Sequence, residues 1–214
     1  MLDVGGGSGV LAVPLAVAGC AVTVVDPSPN ALATLYRRAE EAGVSDRITA
    51  VQGDSDALAS LVPAGDADLA LAHGVLEVVD DPKNTVAALA DAIAPGGAVS
   101  IVVANRYAAV LHRTLAGRLS DVRALLDDPA GQLPGESLLR RFDTEGLREL
   151  LIDAGLSVEL IQGTGALADV VPGQVLEQSP GAAETLAELE LRVATIGPLR
   201  DIATRLHAIG RRSA

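Results

Sequence analysis

The feature that most restricts the fold of this 214-residue chain is an alternation of short, valine-rich segments with stretches of helical spacing. Such alternation is typical of βαβ units, in which successive strands form a parallel sheet and helices cover its faces. Seven strands are predicted, at Met1–Val4, Ala21–Asp26, Ile48–Val51, Asp68–Ala72, Ala98–Ala104, Ser157–Ile161 and near Thr204–Gly210. The chain is therefore predicted to be an α/β protein with a Rossmann-like, mostly parallel sheet.

Helical segments lie between the predicted strands, at Val10–Ala18, Pro29–Ala42, Asp56–Leu61, Lys83–Ile93, Ala108–Leu126, Thr144–Ala154 and Ala183–Thr195. Ser28 is the expected N-cap of the second helix, with Pro29 in its first turn and Gly43 just past its end. Pro95-Gly96-Gly97 is expected to stop the fourth helix, and loops are expected at Asp127–Gly135 and Gly163–Gly181. We expect one domain over 1–214, with a substrate-side insert at 105–142 where the alternation lapses.

Composition restricts the classes of partner. The formal net charge of −12 argues against general affinity for nucleic acid, although 15 of the 16 basic residues are arginines that can form a local patch (all but Lys83). Cys20 is the only cysteine, which excludes an internal disulfide. No apolar run approaches the length of a membrane span, and no metal site is predicted. We expect a cytoplasmic protein.

A glycine-rich turn, Leu2-Asp3-Val4-Gly5-Gly6-Gly7-Ser8-Gly9, joins the first strand to the first helix. Glycines allow the backbone to turn sharply and to approach a ligand without a Cβ in the way. A dinucleotide fingerprint requires G-x-G-x-x-G, but Val10 occupies the sixth position, so the spacing is G-x-G-x-G. The alternative is a tight turn that binds no ligand.

Polar residues also follow the next three strands. Asp26 ends the second strand, where a carboxylate can accept both ribose hydroxyls of a nucleoside; its alternative is a helix N-cap. Ser55 and Asp56 follow the third strand and can meet an adenine edge or simply cap the short helix. His73 ends the fourth strand, where ligand contact and plain packing are equally good interpretations.

Together these residues resemble the class I S-adenosylmethionine-dependent methyltransferases. They are more specifically similar to the bacterial tRNA methyltransferases that esterify 5-carboxymethoxyuridine at the wobble position. The matching stretches are Leu2–Gly9, Asp26, Gly43–Asp46, His73–Glu77, Asp81-Pro82, Pro95–Gly97, Asn105, His112, Ala116-Gly117, Ala154-Gly155, Leu189–Leu191 and His207. The resemblance implies seven strands with an antiparallel last one, and this chain begins inside the first strand, so the helix that precedes it in the family is missing.

The resemblance also implies S-adenosyl-L-methionine as cofactor. The predicted cofactor-binding residues are Asp3, Gly5, Gly6, Gly7, Asp26, Ser55, Asp56 and His73. That family also uses an arginine on the helix that precedes the first strand, which has no counterpart here.

A carboxylate acceptor is already nucleophilic at neutral pH, so such an enzyme needs groups that hold the acceptor rather than a general base. Asn105, Tyr107, His112 and Arg192 are the predicted positioning residues, with Arg106, Arg140 and Arg141 as weaker candidates for which solvated surface charge is the alternative. Three hypotheses follow: methylation of tRNA, methylation of a small metabolite, and a non-catalytic Rossmann-like binding module. The acidic, proline-broken stretch Asp121–Gly135 favours the second over the first.

Overall fold

A computed structural model describes residues 1–214, and its strands form one seven-stranded sheet in the order β3-β2-β1-β4-β5-β7-β6. The sheet is mostly parallel, with β7 antiparallel, which confirms the predicted fold class. The strands are β1 (Leu2–Val4), β2 (Val22–Asp26), β3 (Ile48–Gln52), β4 (Ala67–His73), β5 (Ile93–Ala104), β6 (Leu156–Thr164) and β7 (Arg205–Arg212).

Ten α-helices connect or follow the strands. They are α1 (Ala12–Val17), α2 (Pro29–Glu41), α3 (Leu58–Leu61), α4 (Pro82–Ala92), α5 (Arg106–Leu115), α6 (Leu119–Asp127), α7 (Thr144–Asp153), α8 (Gly173–Gln178), α9 (Ala182–Val193) and α10 (Gly197–Arg200). Short 3-10 turns lie at Ser45–Arg47 and Ser55–Ala57. No helix combines the length and the apolar sequence that crossing a membrane requires.

The chain divides into two compact units. The first unit comprises Met1–Ile101, Leu150–Glu159 and Ile209–Ala214, and the second comprises Val102–Glu149 and Leu160–Ala208.

Strand β1 lies at the centre of the first unit, paired in parallel with β2 on one side and β4 on the other. The chain winds outward from β1 through β2 to β3 and then returns to β4, so the sheet changes direction between β1 and β4. Ligands of open α/β sheets bind at such switch points, beyond the carboxyl ends of the strands. The glycine-rich turn that follows β1 lies at this end.

Helices α1 and α2 pack on the same face of β2 and β3 through small and branched apolar side chains. Ala12, Ala16, Val22, Val24, Leu32, Leu35, Ala39, Val44 and Ile48 form this cluster. The ends of α2 match the prediction: Ser28 Oγ accepts a hydrogen bond from Ala31 N at 3.2 Å, and Gly43 adopts φ +67° beyond the last turn. Alanine-rich helices can lie close to the sheet, which explains how a core with three aromatic residues in the whole chain is filled.

Helices α5 and α6 open the second unit, and Arg106 joins them. Its guanidinium donates hydrogen bonds to the carbonyl oxygens of Leu125, Asp128 and Pro129 at 3.0 to 3.1 Å, which satisfies the carboxyl end of α6. The single helix predicted over Ala108–Leu126 is wrong, because Gly117 takes φ +71° and separates α5 from α6. The apolar spacing continues through the break, so periodicity alone did not reveal it.

Two other boundaries differ from the prediction. Pro95-Gly96-Gly97 lies inside β5, because α4 already ends at Ala92 and the buried Ile93 starts the strand. A Cβ on Gly97 would lie 3.1 Å from the carbonyl oxygen of Asp68, so this glycine permits close approach of a neighbouring backbone rather than stopping a helix. The loop predicted over Gly163–Gly181 contains the short helix α8.

Leu35 links the α1–α2 cluster to the glycine-rich turn and supplies a test of it. Its side chain is fully buried, and a Cβ on Gly9 would collide with its Cδ1. We expect Leu35→Ala to lower the free energy of unfolding by about 2–5 kcal/mol, because it leaves a cavity beneath the turn. The matched control is Tyr36→Ala on the next, 51% exposed position of the helix, with an expected change below about 1 kcal/mol. Urea denaturation followed by circular dichroism measures both, and equal losses would contradict the packing described.

Candidate functional site

The turn between β1 and α1 requires glycine at several positions. Gly5, Gly7 and Gly9 have φ values of +70°, +54° and +77°, in the left-handed region that favours glycine. Gly5 N donates a hydrogen bond to Val25 O at 2.8 Å, and a Cβ on Gly5 would lie 2.5 Å from Val75 Cγ2. The turn therefore passes tightly over the ends of the neighbouring strands with its backbone bare of side chains.

Asp26 holds this turn to the end of β2. Its Oδ2 accepts a hydrogen bond from Gly7 N and its Oδ1 accepts one from Ser28 N, both at 2.9 Å. A carboxylate has about four lone-pair positions, so two remain for a ligand. Because Ser28 is the helix N-cap, that alternative role for Asp26 is not needed, and the arrangement suits ribose hydroxyls at the open side of the carboxylate.

Asp3 lies directly beneath the turn. Its side chain is 2% exposed, its Oδ2 has no hydrogen-bond partner, and a Cβ on Gly6 would collide with that oxygen. Burial, with a smaller contribution from the charge of Asp26, raises the pKa of Asp3 to about 6. A buried carboxylate without a donor fits a cationic group such as the ammonium of an amino-acid ligand, which would pair with it.

The predicted residues after β3 and β4 lie at the expected strand ends. Ser55 is buried and donates from Oγ to Asp54 Oδ1 at 3.1 Å, whereas Asp56 is exposed on the 3-10 turn that Asp54 caps. The half-buried His73 shares a hydrogen bond between its Nε2 and Ser100 Oγ, which are 2.9 Å apart. The structure thus brings Asp3, the glycines and Asp26 into one cluster, whereas Ser55, Asp56 and His73 lie at or just after the ends of β3 and β4.

A cavity of about 500 Å³ in the same unit lies elsewhere. Its lining includes Met1, Ala21 and Asp66, which stand at the amino ends of β1, β2 and β4. It therefore opens at the opposite end of the strands from the glycine-rich turn and is not the predicted cofactor site.

The predicted substrate-side residues belong to the second unit and differ in their surroundings. Asn105 is buried, and its amide is used within the chain: Nδ2 donates to the carbonyl oxygens of Asp201 and Ala203, and Oδ1 accepts from Tyr107 N. Asn105 and His112 both line a cavity of about 340 Å³. Tyr107 and Arg192 are exposed and do not line it.

Two arginines that line the same cavity, Arg113 and Arg141, share one carboxylate, that of Glu136. Arg113 and Glu136 were absent from the predicted set. Arg113 directly follows the predicted His112, but its ion pair joins residues 23 positions apart. No local sequence pattern signals such a pairing.

A family described as "Methyltransferase domain" matches residues 1–161. The "tRNA 5-carboxymethoxyuridine methyltransferase" of Escherichia coli (strain K12) is 33% identical over 124 residues, which cover 58% of this chain and 47% of that protein. The "Ubiquinone biosynthesis O-methyltransferase" of Methylocella silvestris is 37% identical over 117 residues, which cover 54% of this chain and 41% of the relative. The matched part therefore spans less than half the length of each relative.

A solved structure of a SAM-dependent methyltransferase from Methanosarcina mazei superposes with a TM-score of 0.67 at 18% identity, covering 99% of this chain and 91% of that one. At this identity the likeness establishes the fold alone.

Asp3→Asn tests the role of the buried carboxylate. Above pH 6 Asp3 is ionised in both the folded and the unfolded chain, so its burial lowers stability by roughly 3 kcal/mol, and stability is regained as the pH falls from about 6 to about 4. The neutral variant should therefore be more stable than the wild type at pH 7.5, by up to about 3 kcal/mol, with the difference shrinking on acidification. Urea denaturation at pH 7.5 and pH 4.5 measures this, and binding of S-adenosylhomocysteine should weaken in the same variant. A variant less stable than the wild type at both pH values would show that Asp3 has a purely structural role.

Proposed function

This chain belongs to the class I S-adenosylmethionine-dependent methyltransferases, and we propose that it methylates a carboxylate oxygen. The first candidate for the acceptor is the carboxylate of 5-carboxymethoxyuridine in tRNA. The family match over residues 1–161 places the chain among the methyltransferases. The tRNA substrate is supported by the similarity to the E. coli enzyme of that name. It is also supported by the residues after the fifth strand that resemble the same subfamily, such as Asn105 and His112.

The residues of the glycine-rich turn fit the cofactor. The backbone of Gly5–Gly7 provides a surface free of side chains, Asp26 would accept the ribose hydroxyls, and Asp3 would pair with the amino group of the methionine part. S-adenosylmethionine, when bound, supplies an activated methyl group that an acceptor oxygen takes up as the carbon–sulfur bond breaks. The protein therefore has to hold the acceptor oxygen in line with the carbon–sulfur bond that breaks.

The hydrogen bonds and burial of the titratable groups near the turn support a carboxylate as the methyl acceptor. Asp26 accepts two backbone N–H groups, Asp3 is buried beneath Gly6, and His73 Nε2 is bonded to Ser100. Asp26 and His73 are engaged in hydrogen bonds, and Asp3, whose Oδ2 is unbonded, is covered by the turn, so none of the three is both exposed and unbonded. A carboxylate acceptor needs no general base, because it is ionised at neutral pH and loses no proton on methylation. This observation carries the proposal.

The second candidate is a small carboxylic or hydroxylated metabolite. The net charge of −12 and the acidic stretch Asp121–Gly135 favour it, because a tRNA-binding face needs cations that neutralise phosphates. The similarity to a ubiquinone biosynthesis O-methyltransferase agrees with transfer to oxygen of a small molecule.

Transfer of a labelled methyl group separates the candidates. The chain is incubated with methyl-labelled S-adenosylmethionine and tRNA that carries 5-carboxymethoxyuridine, and the control is the same tRNA without that modification. We expect label on the modified tRNA only, and we expect mild alkali to release it because a methyl ester hydrolyses readily. No incorporation by a protein that still binds S-adenosylhomocysteine would exclude the tRNA substrate and favour small carboxylic metabolites.

A further inference from the structure

The cavity of about 340 Å³ in the second unit begins where β5 ends, at Ala104, and extends along α5. Alanines form much of its wall, and its polar side chains come from α5, from the segment before α7 and from the residue before β7. The lining consists of Ala104, Asn105, Ala108, Ala109, His112, Arg113, Ala116, Leu138, Arg141 and Thr204. Small side chains on one wall leave space for a flat group of the size of a pyrimidine ring.

Arg113 and Arg141 form a guanidinium pair held by one carboxylate. Glu136 Oε1 lies 2.7 Å from Arg113 Nη2, and Glu136 Oε2 lies 2.7 Å from Arg141 Nη2. Arg141 Nη1 also donates to Gly131 O at 2.6 Å. Glu136 does not line the cavity, whereas both arginines do, so it holds their guanidinium groups from outside the lining.

Glu136 is the carboxylate that hydrogen-bonds the pair. Asp121 Oδ2 lies 4.0 Å from Arg113 Nε, an ion pair that is too long for a hydrogen bond, so Asp121 contributes negative charge without taking up a donor of Arg113. The side chain of Arg141 is 8% exposed and that of Arg113 is 28% exposed, so the pair is partly desolvated. In such a setting a further anion gains more from a guanidinium group than it would in water.

Arg113 keeps an unbonded terminal guanidinium nitrogen, whereas both terminal nitrogens of Arg106 in the same helix are bonded. The guanidinium of Arg106 is directed at backbone carbonyls around the end of α6, which is a structural role. Arg113 Nη1 donates no hydrogen bond within the chain, and only Nη2 is bonded to Glu136. The amide of Asn105 is committed to the backbone, so the donors left in this cavity are chiefly arginine and histidine side chains.

We propose that this cavity binds the oxyanion of the methyl acceptor, a carboxylate in the first instance, through Arg113 and Arg141, with Glu136 as a positioning residue. The inference rests on the proposed function for the identity of the acceptor. It assigns to the cavity the role of distinguishing an ionised acceptor from its neutral, methylated product.

The test compares binding of two probes by isothermal titration calorimetry in the presence of S-adenosylhomocysteine. The probes are the nucleoside 5-carboxymethoxyuridine and its uncharged carboxamide analogue, which has the same ring and nearly the same shape. Arg113→Met should raise the Kd of the carboxylate probe by about 10-fold or more and leave that of the carboxamide within about 2-fold, because a charge-assisted hydrogen bond is lost. Glu136→Gln should reduce the preference for carboxylate over carboxamide by a smaller factor.

Arg123→Met is the matched control. Arg123 lies on α6 with its side chain 86% exposed, pairs only with Asp127 one turn away, and does not line the cavity. It should bind both probes as the wild type does. The Kd of S-adenosylhomocysteine should be the same for all variants, which verifies that each is folded.

The outcomes separate this inference from the proposed reaction. Loss of affinity for both probes alike in Arg113→Met, or no loss for either, would overturn the assignment of the cavity, as would a wild type that binds neither probe. If the wild type binds the carboxylate through Arg113 but transfers no methyl group to it, the cavity assignment stands and the proposed reaction is wrong. If label is transferred equally well by Arg113→Met, the cavity assignment alone is wrong.

Discussion

The hydrogen bonds from Gly7 N and Ser28 N to the carboxylate of Asp26 are the interaction on which the site depends. Strand β1 has only three residues, and the turn after it has three glycines with positive φ. The local backbone therefore constrains the conformation of the turn only weakly. Asp26 ties that turn to the end of β2 and the start of α2. The same carboxylate is thus a structural support and the group that we propose accepts the ribose hydroxyls.

Asp3 lowers the stability of the folded chain at neutral pH, whereas Asp26 supports the turn. Burial beneath Gly6 and the nearby charge of Asp26 raise its pKa, so the folded chain holds an ionised carboxylate at neutral pH without a donor for Oδ2. Nothing within the chain compensates this loss. A cationic ligand would compensate it, and destabilising residues at strand ends therefore indicate binding sites. The side chains of Asn105 and Arg106 donate to backbone carbonyl oxygens instead, which indicates structural roles.

Much of the fold follows from local pattern. Alternation predicted all seven strands, and the cap at Ser28 and the stop at Gly43 were correct because side-chain capping and positive φ are local properties. The break at Gly117 was missed, since a glycine within an apolar periodic run is compatible with either a continuous helix or two. The tight turn after β1 was predictable from its glycines, but the pairing of Arg113 and Arg141 through Glu136 depends on tertiary packing that no spacing reveals.

The most direct test of the central claim is calorimetric titration of S-adenosylhomocysteine into the wild type and Asp26→Asn, with the exposed Asp46→Asn as control. Asn keeps an acceptor oxygen but loses the charge, so we expect the Kd to rise by about 10-fold to 100-fold for Asp26→Asn, because one or two charge-assisted hydrogen bonds are lost. We expect no change for Asp46→Asn. Equal affinity in all three proteins would contradict the claim that the glycine-rich turn and Asp26 form the cofactor site.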